Sequence, residues 1–173
     1  MSIHDLNVSL LKGEIIEKID LYPNDAHRPD EIRIKLRNGL IFRMHHDQSC
    51  CEMVRVEDIC GDLNDLIGSE ILVAEERTIN LSCQIDPTGQ IDEDGNESRY
   101  DSATATFYEF STIKGGVTIR WLGTSNGYYS ESVSFGIVGS IIDQINGMCD
   151  YSQQAFLKLK YADIIMLEEQ ENW

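Results

Sequence analysis

Hydrophobic and polar positions along this chain alternate mostly with period two, the rhythm of half-buried strands. Residues 14–22 alternate loosely and predict a first strand. Residues 32–45 alternate strictly: Ile32, Ile34 and Leu36 come before Asn38-Gly39, and Leu40, Phe42 and Met44 after it. Asn-Gly usually makes a two-residue hairpin turn. That register would set Leu40 and Phe42 on the face of Arg37 and Lys35. A three-residue loop, Arg37-Asn38-Gly39 with Gly39 left-handed, places all six apolar residues on one face. A slip of one residue reverses every side chain, so burial selects the three-residue loop. The same register lines Arg33, Lys35, Arg43 and His45 along the opposite face. Pairing with nearby carboxylates is their expected use; receiving an anion is the alternative.

Further along, Met53 to Glu57 predicts a short strand with Val54 and Val56 inward. Asp58 to Ile67 predicts a short helix, because Ile59, Leu63, Leu66 and Ile67 recur at helical spacing, with Gly68 as its stop. Glu70 to Ile79 returns to strand. Residues 83–101 are polar, acidic and turn-rich and predict a long exposed loop. Residues 103–112 and 117–122 predict a second hairpin through Lys114-Gly115-Gly116. A two-residue turn there joins Tyr108 and Phe110 to Val117, Ile119 and Trp121 on one face. Tyr128 to Phe135 predicts another strand. Residues 137–148 fit neither rhythm cleanly. Ser152 to Glu169 predicts the longest helix, with Ser152 as cap, although Phe156, Leu159, Ile164 and Leu167 make an imperfect stripe. The sum is an α+β fold, mainly antiparallel sheet built from hairpins, with a short helix near 58–67 and a C-terminal helix.

Composition narrows the function. A chain of 173 residues, 42% hydrophobic, without repeats or a linker suits one domain over residues 1–173. The net charge is −16. Direct nucleic-acid binding needs cations that this chain lacks, and anionic membranes are disfavoured for the same reason. No apolar run is long enough to span a bilayer. Met1 to Asp5 lacks the start of a signal peptide, and five scattered cysteines are not a secreted disulfide framework. These features predict a cytoplasmic protein. The acid concentrates in residues 57–101, where Arg77 and Arg99 are the only cations. It serves solubility, or it meets a basic protein partner.

Three places could carry chemistry. The densest is His45-His46-Asp47-Gln48-Ser49-Cys50-Cys51-Glu52. His46 and Cys50 could supply half of a zinc site, completed in space by Cys60, Cys83 or His27. A thiol nucleophile held as thiolate by His45 or His46 is a second reading. A plain connection with one cysteine packed in the core is the third. The acidic loop places Asp92, Asp94 and Asp101 on part of a calcium-loop template, but Gln90 stands at its first position and no bidentate Glu at its last. The third place is Trp121 with Asn126, Tyr128, Tyr129 and Glu131, a candidate pocket or binding rim. A carboxylate at Glu131 lying beside the Trp121 indole would have its charge disfavoured.

Two blocks also carry a resemblance. One runs through Cys50-Cys51-Glu52 and Gly61-Asp62-Leu63-Asn64-Asp65-Leu66-Ile67-Gly68. The other runs through Val117-Thr118-Ile119-Arg120-Trp121 and Ser125-Asn126-Gly127-Tyr128-Tyr129-Ser130-Glu131-Ser132-Val133. Over about residues 45–135 the chain resembles a family of small uncharacterised proteins of phages and bacteria, classed as a domain of unknown function. The resemblance implies no catalytic residues. It implies a phage or mobile-element setting, a host cytoplasm and an accessory protein that binds a protein partner. A Cys/His/Glu site for a small molecule or metal, catalytic or not, is the competing expectation, and homo-oligomerisation remains open.

Overall fold

The computed structural model describes residues 5–23, 29–81, 90–91, 97–98 and 102–171, with 90–91 and 97–98 described by their strand pairing alone. Strands β1 (Ile16–Tyr22), β2 (Glu31–Leu36) and β3 (Ile41–His45) form one sheet with β10 (Ser134–Ile137), in the order β1-β2-β3-β10. Strands β4 (Glu52–Cys60), β5 (Val73–Asn80), β8 (Ser102–Ser111) and β9 (Gly116–Ser125) form a second, in the order β4-β9-β8-β5. Gln90–Ile91 (β6) and Glu97–Ser98 (β7) pair as a small ribbon. All strand pairs within these sheets are antiparallel.

Burial made the register. Ile34 faces Phe42, Lys35 faces Ile41, and the Leu36 N–H donates to the Leu40 carbonyl at 2.8 Å. The loop is therefore Arg37-Asn38-Gly39, with Gly39 at φ +94°. All six alternating apolar residues are buried. On the opposite face Arg33 pairs with Glu31 and Lys35 with Glu17, while His45 is buried where β3 ends. The β8–β9 hairpin closes through the Thr112 N–H on the Gly115 carbonyl at 2.9 Å, leaving Ile113-Lys114 as its turn. Tyr108 then faces Ile119, and Phe110 faces Val117. The inward residues of both sheets meet in one apolar cluster, as two packed layers require.

Three expectations change. Asp58 to Cys60 extend β4, where Ile59 faces Ile119, so the helix near 58–67 shrinks to one 3-10 turn, Leu63–Leu66. Pairing with a strand satisfied those backbone groups and overrode the helical spacing of Ile59 and Leu63. Residues 128–133 form no strand: β10 starts at Ser134 and joins β3 in the other sheet, with Phe135 stacked on Phe42 at 5.4 Å. The long C-terminal helix is two, α2 (Tyr151–Lys160) and α3 (Ala162–Glu171), preceded by α1 (Ile141–Asn146). They separate at Tyr161, whose φ −109°, ψ 24° is not helical. Asp150, not Ser152, caps α2, its carboxylate accepting the Ser152 and Gln153 N–H groups.

The helices dock against the β2–β3 turn and the chain before β1. Buried Glu14 accepts the Tyr161 hydroxyl at 2.9 Å, the Lys160 ammonium and the Asn38 amide at 3.1 Å. Among the described residues no helix is long and apolar enough to cross a membrane.

Candidate functional site

Two connections cross between the sheets, and they run beside each other. Residues 46–51 lead from β3 to β4; residues 126–133 lead from β9 to β10. Register brings their ends together, because Ser134 pairs with His45 in one sheet and Glu52 with Ser125 in the other. The two sequence blocks therefore meet.

Side chains bridge these crossovers. His46 Nδ1 lies 2.7 Å from the Ser132 carbonyl, which makes it the donor there. The other ring nitrogen lies 3.5 Å from Glu52 Oε1. The Asn126 N–H donates to the Cys51 carbonyl at 3.3 Å. The Cys50 Sγ lies 3.2 Å from the Tyr129 hydroxyl and 2.8 Å from the Cys51 Sγ. Glu52 turns back on its own turn, accepting the N–H groups of Ser49 and Cys51. Burial works against its charge, but those N–H groups and the His46 ring outweigh it and hold the carboxyl below the usual carboxylate range.

The sulfurs are unlike each other. Hydrogen bonding with Cys51 and then with Tyr129 draws the Cys50 thiol down, against some burial and the Glu52 charge. The same contact with Cys50, with burial behind it, pushes Cys51 up. The Tyr129 phenol, tied to Cys50, is pushed up to about 12. Cys50 and Cys51 are free and exposed.

Glu131 sits deeper. Its carboxylate accepts the Thr104 and Ser125 hydroxyls, each at 2.6 Å, and the residue is buried. It lies over Gly123, where a Cβ would meet the Glu131 carbonyl oxygen at 2.6 Å. Trp121 is wholly buried in the sandwich, inside the core and not on a rim. Asn126 accepts the Tyr128 N–H at 3.2 Å, and Tyr128 projects into solvent. Thr104 and Ser125 had no sequence signal, because only the fold sets their hydroxyls against a carboxylate.

Among the described residues no group of three or more His, Cys, Asp or Glu side chains is arranged to hold a metal ion. His27, Cys83 and the calcium-loop candidates Asp92, Asp94 and Asp101 lie outside the described residues. Two shallow clefts flank the second sheet, one at Glu75, Glu76, Arg77 and Glu109, the other over Met53, Arg55, Glu57, Leu122 and Thr124. Neither is lined by a cysteine or histidine.

A further surface lies on α2, and its polarity is inverted. Leu157 is its buried residue. The inward-leaning Gln153 and Gln154 donate to the carbonyls of Asn38 and Met148 at 3.0 and 2.6 Å. Tyr151, Phe156 and Leu159 face outward at 83, 63 and 81% exposure. Tyr151, Ala155 and Leu159 recur every fourth residue, so they share one stripe opposite Leu157. Of the imperfect stripe in the sequence, Phe156 and Leu159 point outward here, while Ile164 and Leu167 of α3 pack in or against the core. The charged residues of α2 itself are Lys158 and Lys160, exposed in its last turn, and Lys160 reaches back to Glu14.

Compared with known proteins, residues 9–135 match the profile of a family described as a domain of unknown function, DUF7448. The match takes in β1 to β3, which the resemblance had left outside, and stops before the helices. No curated protein matches, and no solved structure matches.

Proposed function

We propose a function of binding, not catalysis, for this chain, which belongs to the DUF7448 family, a domain of unknown function. The outward face of α2 takes a protein partner, and the partner is basic. One observation carries the reading: a helix that turns glutamines inward and holds Tyr151, Phe156 and Leu159 in water. Large apolar side chains at such exposure, on a chain of net charge −16, have the anatomy of an interface core.

Charge selects the occupant. At a net −16, two copies of this chain repel each other, whereas a cationic partner is drawn in and oriented. Asp163, Glu169 and Glu171 lie exposed on α3, the helix that follows α2. An accessory role in a phage-infected cell, with a host protein as partner, belongs to the same proposal and rests on the resemblance alone.

The test compares the protein with its Tyr151→Ser, Phe156→Ser, Leu159→Ser variant in capture from cell lysate. The reading expects a basic protein held by the first and lost by the second. The purified pair should then bind at least about tenfold more weakly for the variant, and more weakly again as salt rises. Equal retention by both proteins would overturn it. So would a native mass showing a dimer that the variant dissolves, since a second copy would then cover this face.

A further inference from the structure

The turn that carries Cys50 and Cys51 is not used by the docking face on α2. We propose that these neighbouring cysteines form a reversible dithiol–disulfide site, oxidised by small disulfides of the glutathione class.

The geometry argues for it in three ways. First, the sulfurs stand 2.8 Å apart, which is about 0.8 Å beyond the ~2.05 Å of a disulfide bond. Adjacent residues usually point their side chains apart in extended chain; here the turn brings both Sγ atoms to one side. Second, the two thiols are unequal. Cys50, in contact with the Tyr129 hydroxyl at 3.2 Å, has a phenol to hydrogen-bond its thiolate. Cys51 is held as the thiol by its contact with Cys50 and by burial, which outweigh a smaller hydrogen bond to Tyr129, and it suits the resolving role. Third, both are exposed, so a small disulfide can reach them without unfolding. The carboxylate of Glu52, which would otherwise repel an anionic reagent, is engaged by the Ser49 and Cys51 N–H groups and faces His46.

The reaction balances in two steps. The Cys50 thiolate attacks one sulfur of the small disulfide. Its S–S bond breaks, and one small thiolate leaves and takes up a proton. Cys51 gives its proton to water and attacks the Cys50 sulfur of the mixed disulfide, so the second small thiolate departs and is protonated. The protein loses two electrons and two protons to the oxidant, which becomes two thiols. Ring closure removes the Cys50 thiol that engages Tyr129. The crossovers keep the His46–Ser132 and Asn126–Cys51 links, so oxidation loosens the 126–133 connection without parting the sheets.

The reduced full-length protein would be treated with oxidised glutathione, alkylated, digested with trypsin and weighed. Cleavage after Arg43 and Arg55 leaves both cysteines on one peptide, residues 44–55. The expected product is that peptide lighter by two hydrogens and closed to alkylation, restored by dithiothreitol. It should form at least about tenfold faster than Cys60 or Cys149, the other exposed free thiols among the described residues, are modified. The Cys51→Ser variant should stop at glutathione on Cys50. Tyr129→Phe should slow the first step while leaving the unfolding midpoint near that of the parent. A stable glutathione adduct on the parent protein, disulfide-linked dimers, or equal rates at Cys60 and Cys149 would each overturn the proposal.

Discussion

At the scale of single residues, the least negotiable contact is that of Gly123 with Glu131. The carboxylate needs its two hydroxyl donors, and the strand beneath must carry no side chain for it to settle. A Cβ at 123 would come within 2.7 Å of the Glu131 Cβ as well as its carbonyl. Both are near the backbone and cannot swing aside. Gly123→Ala should therefore cost about 1–3 kcal/mol, read as a lower denaturant midpoint; an unchanged midpoint would show that the crossover yields freely. Glu52 gives a pH prediction. Its folded pKa lies below the ordinary value, so its contribution to stability is present above the unfolded pKa and is lost as pH falls through the folded one. Below the ordinary carboxylate range the protein should lose stability that Glu52→Gln lacks from the start. Denaturation series at stepwise lower pH should thus converge for the two proteins.

At the scale of elements, the β2–β3 hairpin and α2 obey different masters. The hairpin follows its own alternation. Gly39→Ala would force a side chain into φ +94° and bring a Cβ to 3.0 Å from the Met148 methyl. The expected cost is about 1 kcal/mol, seen in thermal or denaturant unfolding. Helix α2 answers instead to what it touches. Leu157→Ala should cost about 2–5 kcal/mol, because its side chain is buried in the core. Leu159→Ser, two residues on, should stay within about 0.5 kcal/mol. Similar losses at both positions would show that the outward face is already packed in the isolated chain.

At the scale of the whole molecule, the family-matched region and the folded unit are not the same object. The match ends at residue 135, yet Ile141, Ile145, Leu157, Tyr161 and Ile164 belong to the same apolar cluster as both sheets. Glu14 joins them to the chain before β1. Cutting the chain after Val138 should expose that part of the core and leave buried Glu14 without Tyr161 and Lys160. The shortened protein should lose cooperative unfolding or aggregate, as circular dichroism and light scattering would show. The net charge adds a second expectation at this scale: self-repulsion is screened by salt, so moderate sodium chloride should raise the melting temperature while weakening the proposed partner complex.

The sequence by itself determined the strands of both hairpins, the register of the first and the inward face of the second. Alternation and turn chemistry are local, and a one-residue slip would expose six apolar side chains. It also marked the cysteine turn as chemically dense. Tertiary structure alone decided that β10 leaves β9 for the far sheet, that Asp58 to Cys60 are strand, and that α2 breaks from α3. Each depends on a partner distant in sequence: Phe42 for Phe135, Ile119 for Ile59, Glu14 for Tyr161. The meeting of Cys50 with Tyr129 and of Glu131 with Thr104 follows from the same non-local choice, since two crossovers become neighbours only when both sheets are complete.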